Sequence, residues 1–121
     1  KKGRDVTRGG AGYNSIGPQA VGVVNIGNSL AALKKFVFEE KRFTMSEMID
    51  MLDTNAGKEA ERQLLLNRAP KYGNDDDYVD ELVARVGRDW CDEVAKYTIP
   101  RRGGTHAPGI YTVISNVPFG A

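Results

Sequence analysis

The 121-residue sequence has one cysteine, Cys91, one histidine, His106, and a net charge of only +1 from 17 basic and 16 acidic residues. A single cysteine cannot form a disulfide within the chain, and no cysteine–histidine cluster has zinc spacing. The balanced charge implies neither nucleic acid nor an anionic membrane as a partner. The apolar runs are too short to span a bilayer, and no signal peptide is visible. These features favour a reducing, cytoplasmic setting.

Hydrophobic residues make up 40% of the sequence, and the length suits one compact domain with a core of its own. Because the chain begins with Lys1 and not with methionine, we expect a piece of a longer protein.

Apolar residues at helical spacing predict a mainly α-helical chain with one or two short β-strands. Thr44 and Glu47 match a capping box, which predicts a helix that ends at Asn55-Ala56-Gly57. Asn28 is the predicted N-cap of another helix. Residues 18–26 are ambiguous between strand and helix, and a short helix is favoured because Gly17-Pro18 resembles a helix entry. Further predicted helices cover about residues 29–40, 58–67 and 75–96.

The segment from Ile110 to Val117 is rich in β-branched residues and predicts a strand. A single strand is not stable without a partner. The partner is either the region around Tyr13 or a strand outside this chain. In the second case the exposed strand edge predicts self-association of the chain.

Four features carry possible chemistry, and each has a simpler structural explanation. The acidic run Asn74–Asp77 could bind a hard cation, but helix capping is favoured. His106 is expected at the surface, and Cys91 is expected to be a buried structural thiol. The glycine-rich basic loops at Gly9-Gly10 and Gly103-Gly104 could cradle a phosphate, although neither matches a known phosphate-binding fingerprint.

Four stretches in order along the chain are GRDVTRGGAGYN, NSLAALKKFVFEEK, LLLNRAPKYGNDDDYVDELV and PRRGGTHAPGIYTVISNVPFG. Together they resemble the pyruvate formate-lyase domain of glycyl radical enzymes, and they cover nearly all of the chain. The third is the most specific. The resemblance is closer to the dehydratase and lyase branch, such as glycerol dehydratase or choline trimethylamine-lyase, than to pyruvate formate-lyase itself. Asn28 departs from the aspartate expected at its position.

The resemblance implies a segment of a ten-stranded α/β barrel. It also implies radical cleavage of a C–O, C–N, C–S or C–C bond of a small substrate in anaerobic metabolism. In this family an activating enzyme, which uses S-adenosylmethionine and an iron–sulfur cluster, generates a radical on a backbone glycine. The radical then passes to a cysteine that takes a hydrogen atom from the substrate.

The family's own catalytic motifs are not matched in this sequence. The only cysteine lies in Trp90-Cys91-Asp92-Glu93, which differs from the family's GC-x-E motif, and Arg85-Val86-Gly87 lacks the intervening residue of RV-x-G. Residues 1–121 are therefore expected to form an internal segment between the cysteine loop and the glycyl radical loop. We expect no catalytic, cofactor-binding or metal-binding residue in it, and no activity of the isolated chain. The alternative is a standalone helical interaction module derived from the same enzymes.

The resemblance also suggests which residues face a substrate. In a barrel strand alternate side chains point inward, so one of two sets faces the interior. The first set is favoured because Tyr111 and Ser115 are polar. The two sets are Tyr111, Val113, Ser115 and Val117, and Ile110, Thr112, Ile114 and Asn116. Tyr13 and Asn14 are weaker candidates for the same pocket. In the alternative reading both sets of strand residues only pack. The implied partners are the rest of the enzyme, its activating enzyme, a small-molecule substrate and further copies of the same chain.

Overall fold

In a computed structural model, the structure describes residues 3–54, 59–101 and 103–111. The described part is mainly helical, as the sequence predicts, but it contains four two-residue strands where one or two strands were predicted. The chain divides into two compact units, one made of Lys1–Val23 with Val86–Ala121 and one made of Val24–Arg85. The helices are α1 (Val23–Leu33), α2 (Met45–Thr54), α3 (Glu59–Arg68) and α4 (Asp77–Ala95), and the strands are β1 (Ser15–Ile16), β2 (Gln19–Ala20), β3 (Thr105–His106) and β4 (Gly109–Ile110).

Among the residues that the structure describes, none of the helices has both the length and the apolar character needed to cross a membrane.

The predicted helix over residues 18–26 is wrong in its first half, and the predicted break before a second helix is absent, whereas residues 29–39 are helical as predicted. Gln19 and Ala20 form strand β2, and a single helix, α1, starts at Val23. Gly22 immediately before it has a φ of 82°, a left-handed conformation that a right-handed helix cannot contain. A π-helix, Lys34–Glu39, continues directly from α1.

Asn28 does not cap a helix, because it lies inside α1. Its side-chain oxygen accepts a hydrogen bond from the backbone N–H of Tyr72, 2.8 Å away. This contact joins residues 44 positions apart. A long-range bond therefore holds asparagine at a helix-interior position that its local preference disfavours.

The core of the unit Val24–Arg85 consists of small and large apolar residues from successive helices. The buried side chains are those of Ala31, Phe36, Met48 and Val79, and none is more than 5% exposed. The ring of Phe36 lies 6.4 Å from that of Phe43, at an interplanar angle of 57°. Such a tilted pair is a favourable aromatic geometry.

The capping box at the start of α2 is confirmed. The Thr44 N–H donates to the Glu47 carboxylate at 2.8 Å, and the Glu47 N–H donates to the Thr44 hydroxyl at 3.2 Å. Each residue thus satisfies an amide that the helix itself leaves without a partner. The predicted helix end at Asn55-Ala56-Gly57 lies outside the described residues.

Helices α3 and α4 agree with the predicted helices at 58–67 and 75–96 to within two residues. The acidic run before α4 acts as a cap. The Asp76 carboxylate accepts from the Tyr78 N–H at 3.1 Å, and the Asp76 carbonyl accepts from the N–H groups of Val79 and Asp80 at 3.0 and 3.1 Å. The structure therefore supports helix capping as the role of this run.

In the other unit, β1 pairs with β3 and β2 pairs with β4, both in parallel. Ser15 is opposite Thr105 and Gln19 is opposite Gly109, so the two pairs share one register. They form a single ladder between residues 15–20 and 105–110, which we call the parallel ladder. It is interrupted where Pro18 and Pro108 occur, because proline has no amide hydrogen to donate.

The predicted terminal strand therefore has a partner within the chain, in the segment that follows Tyr13. Three backbone N–H groups donate across the ladder, from Ala107 to Ile16 (2.8 Å), from Gly109 to Pro18 (3.0 Å) and from Tyr111 to Ala20 (2.9 Å). The premise that the strand lacks a partner is wrong for its described part, Ile110 and Tyr111. The remainder, residues 112–117, lies outside the described residues.

The segments predicted to be loops contain some regular structure. A short 3₁₀ helix, Val6–Arg8, lies within the predicted loop at residues 1–12, and β3 lies within the second basic loop.

Candidate functional site

The candidate pocket residues fall on or beside the parallel ladder. The Tyr111 side chain is 55% exposed and that of Tyr13 is 97% exposed, whereas Asn14 is half-buried. Val113 and Ser115 lie outside the described residues. Tyr111, Tyr13 and Asn14 are thus brought into the same unit, at opposite ends of neighbouring strands.

The parallel ladder has two faces, because side chains alternate along a strand and paired residues share a face. On one face a Cβ added at Gly109 would lie 2.5 Å from the Gln19 Oε1 atom. On the other, Ile110 Cδ1 would lie 3.5 Å from a Cβ added at Gly87 of α4. We call these the open face (Ser15, Gly17, Gln19, Thr105, Ala107, Gly109 and Tyr111) and the helix face (Ile16, Pro18, Ala20, His106, Pro108 and Ile110).

Helix α4 holds the ladder through a side-chain hydrogen bond. The indole N–H of Trp90 donates to the Gly109 carbonyl oxygen at 3.2 Å. Val94 of the same helix and Ile99, which follows it, are 6% and 7% exposed. Trp90 therefore fixes the position of the strand that leads to Tyr111.

Gln19 is a residue of the open face that the sequence did not single out. Its amide lies directly over Gly109, and its Nε2 group donates to the Gly17 carbonyl at 3.3 Å. Gly109 leaves the space that this amide occupies, since any side chain there would displace it. The sequence alone gives no indication of this role, because only the pairing of strands β2 and β4 brings Gln19 next to Gly109, 90 positions away.

The open face offers hydrogen-bonding groups of moderate polarity. These are the hydroxyls of Ser15, Thr105 and Tyr111 and the amide of Gln19. The Gln19 amide fills the space over Gly109, and Ala107 is the small residue beside it. Such a surface can orient a small polar molecule, but it contains no group suited to proton transfer near neutral pH.

His106 lies on the helix face and is half-buried, so it is less exposed than predicted. Its Nδ1 atom is 3.0 Å from the Tyr97 carbonyl oxygen. A carbonyl oxygen only accepts hydrogen bonds, so Nδ1 carries a proton in this contact. The ring thus has a structural partner.

The prediction that Cys91 is buried is wrong, because its side chain is half-buried. Val94, one helical turn further along α4, is buried, so Cys91 lies at the margin of the helix's packed side. Within residues 3–54, 59–101 and 103–111, no group of three or more histidine, cysteine or acidic side chains is arranged to hold a metal ion.

The unit Val24–Arg85 contains a polar cluster around Tyr78. The Tyr78 hydroxyl donates to the Glu39 carboxylate at 3.0 Å, and the Lys34 ammonium lies 4.1 Å from the centre of the Tyr78 ring. Partial burial, together with the Glu39 carboxylate, raises the pKa of Tyr78 to about 12. The phenol therefore stays protonated at neutral pH, and the cluster is structural.

Comparison with known proteins identifies relatives along the whole chain. The family model described as "Pyruvate formate lyase-like" matches residues 1–120. The probable dehydratase YbiW of Escherichia coli is 42% identical over 100% of this chain and 16% of its own length. The (2S)-3-sulfopropanediol dehydratase of Klebsiella oxytoca is 40% identical over 98% of this chain and 14% of its own length.

A solved structure extends the similarity to the fold. The hydroxyproline dehydratase of Clostridioides difficile, solved with trans-4-hydroxy-L-proline bound, superposes with a TM-score of 0.85 at 39% identity. The match covers 98% of this chain and 15% of that one. The chain thus spans only about a seventh of the length of the relatives that it matches. The family match over residues 1–120 and these similarities confirm the resemblance seen in the sequence, and the chain belongs to the pyruvate formate lyase-like family of glycyl radical dehydratases and lyases.

Proposed function

We propose that the chain is an internal segment of a glycyl radical dehydratase or lyase, where it forms scaffold and one wall of the substrate pocket. In this proposal residues 1–121 lie between the cysteine loop and the glycyl radical loop of a ten-stranded α/β barrel. The whole enzyme cleaves a C–O, C–N, C–S or C–C bond of a small substrate. The family match along the chain and the names of its dehydratase relatives support this assignment.

The observation that carries the pocket assignment is the two-faced parallel ladder. Ile110 contacts α4, and Tyr111, the next residue, belongs to the opposite face. In α/β barrels the helices surround the strands, so the face turned away from the helix points to the interior. The open face would then line the barrel, with Tyr111 and Gln19 directed towards the substrate.

The same alternation extends the proposal to the other candidates. Val113 and Ser115 follow Tyr111 at two-residue steps and would share its face if the strand continues. Tyr13 and Asn14 precede β1 and would lie at the entrance end of the same wall. The 97% exposure of Tyr13 fits a residue that is covered only by other parts of the enzyme.

In this wall Tyr111 and Gln19 bind and orient the substrate. A phenol and an amide can each donate and accept a hydrogen bond, so they can fix a hydroxyl or carboxylate of the substrate. Correct orientation determines which hydrogen atom of the substrate faces the reactive centre.

The radical chemistry itself depends on residues outside this chain. No described residue matches the family's radical glycine or its reactive cysteine, and Cys91 lies on a helix at the edge of a packed side. The proposed partners are the rest of the enzyme, its S-adenosylmethionine-dependent activating enzyme and a second enzyme subunit. The proposed setting is anaerobic cytoplasm, and the isolated chain is expected to carry no glycyl radical.

A chimeric enzyme tests the proposal. This chain replaces the matching segment of the C. difficile hydroxyproline dehydratase, and the purified chimera is activated without oxygen. We expect the EPR doublet of a glycyl radical and turnover of hydroxyproline. Absence of the doublet in a chimera with the parent's thermal stability would contradict the segment assignment.

Substitutions in the chimera test the pocket wall. Tyr111→Phe and Gln19→Ala should raise KM or lower kcat while the EPR doublet keeps its amplitude. Tyr72→Phe is the matched control, because Tyr72 is also exposed and lies in the other unit. Unchanged kinetics of both pocket variants would show that the open face does not line the substrate site.

A further inference from the structure

We propose that an open cavity between the two basic loops is a binding site for a small oxyanion such as a phosphate group. The cavity has a volume of about 490 Å³ and is lined by Gly3, Arg4, Asp5, Arg8 and Arg101. That volume is in the range of small-ligand pockets. The site is separate from the open face of the ladder and does not depend on the proposed function.

The first loop fixes the relative positions of Arg4 and Arg8. The Asp5 carbonyl accepts from the N–H groups of Arg8 and Gly10, both at 2.9 Å, which closes the loop. Gly10 makes this possible, because a Cβ there would lie 2.8 Å from the Arg4 carbonyl carbon. The loop is therefore held by backbone bonds and presents two guanidinium groups from one short segment.

The second loop brings Arg101 to the same place. The Gly103 N–H donates to the Ile99 carbonyl at 3.0 Å, and the Ile99 N–H donates to the Gly104 carbonyl at 3.2 Å. Gly104 packs on the backbone of Asn14, where a Cβ would lie 2.8 Å from the Asn14 carbonyl carbon. This close approach, next to the pairing of β1 with β3, sets the second loop beside the first.

The cavity is positively charged and its cations are available. Three guanidinium groups face one carboxylate, that of Asp5. The Asp5 Oδ1 atom already accepts from the N–H of Thr7 at 2.8 Å and from its hydroxyl at 2.5 Å. Among the described residues, neither Arg4, Arg8 nor Arg101 has an ion pair or side-chain hydrogen bond.

The chemistry of these groups selects the ligand class. The planar fork of arginine binds two oxygens of a phosphate or sulfate at once, and such charge-assisted bonds are strong. The chain as a whole has a net charge of only +1, which does not favour the binding of a long polyanion. A small oxyanion therefore fits better than a nucleic acid.

Titration of the whole chain with inorganic phosphate tests the proposal, with binding measured by calorimetry and by NMR shifts of the arginine side chains. We expect saturable binding, and Arg8→Gln and Arg101→Gln should each raise Kd about tenfold, the loss of roughly one charge-assisted contact. Arg8→Lys keeps the charge and should restore only part of the affinity. Arg88→Gln removes an exposed arginine outside the cavity and should leave Kd unchanged.

Sulfate and chloride at matched ionic strength complete the experiment. Sulfate should bind with the same dependence on Arg8 and Arg101, whereas chloride should not. Circular dichroism checks that every variant keeps the helix content of the parent chain. No saturable binding of phosphate or sulfate up to about 10 mM, or equal weakening by Arg88→Gln, would overturn the proposal.

Discussion

At the scale of single residues, two glycines within helices differ in how much space their surroundings leave for a side chain. Gly27 in α1 is buried, and a Cβ there would overlap Val83, whose own Cα would be only 3.2 Å away. Gly87 in α4 has only Ile110 Cδ1 near it, at 3.5 Å, which is an ordinary contact. Both positions are within helices, so the difference comes from packing alone.

We predict that Gly27→Ala destabilises the chain by about 1–3 kcal/mol, the usual cost of overpacking a rigid site. Gly87→Ala should instead stabilise it by about 0.5–1 kcal/mol, since alanine is the better helix former. Urea unfolding followed by circular dichroism measures both. Adding Val83→Ala to Gly27→Ala should recover part of the loss, and a stabilising Gly27→Ala would contradict the packing seen at Val83.

Tyr78 gives a prediction about pH. Its pKa is raised from 10.0 to about 12 in the folded chain, so the folded state favours the protonated phenol. The resulting contribution to stability is complete below about pH 10 and is lost as the pH rises to about 12. Tyr78 should therefore ionise at a higher pH in the folded chain than in the unfolded chain.

An absorbance titration at alkaline pH measures this ionisation. Tyr78→Phe should remove the component that ionises near pH 12, and Tyr13→Phe serves as the control, because the Tyr13 side chain is 97% exposed. An unchanged high-pH component in Tyr78→Phe would show that the contact with Glu39 does not protect the phenol.

At the scale of elements, helix α2 depends on its N-terminal cap. Thr44→Ala removes the hydroxyl that accepts from the Glu47 N–H, and we expect a loss of about 1 kcal/mol. Thr44→Ser should retain most of the stability, and Ser46→Ala, a neighbouring exposed site, should change little. Thermal unfolding measures all three variants, and equal stability of Thr44→Ala and the parent chain would contradict the role of the cap.

At the scale of the whole molecule, apolar surface remains uncovered. Helix α2 shows this most clearly, because Met48 is 5% exposed while Ile49 and Leu52 are 50% and 71% exposed. The chain spans about a seventh of its relatives' length, and in the proposed whole enzyme other residues would cover this surface. Exposed apolar patches promote association in solution.

We therefore expect the isolated chain to self-associate at tens of micromolar. The exposed side of α2 provides a surface for this association in addition to the strand edge. Sedimentation velocity should show species heavier than one chain. Leu52→Lys combined with Ile49→Lys should shift them towards monomer, whereas Ser46→Lys on the same helix should not. A clean monomer for the parent chain would show that the prediction is wrong.

The sequence by itself determined the elements that depend on local contacts. The spacing of apolar residues and the caps at Thr44 and Asp76 specify α2 and α4, because the bonds that start these helices join residues two to four positions apart. The family was also readable, since its motifs are contiguous stretches. The tertiary structure decided the rest: the register that places Gln19 opposite Gly109, the bond that holds Asn28 inside α1, and the cavity that joins Arg8 to Arg101. Each of these brings together residues more than 40 positions apart, and no local propensity encodes the loop closure that such pairings require.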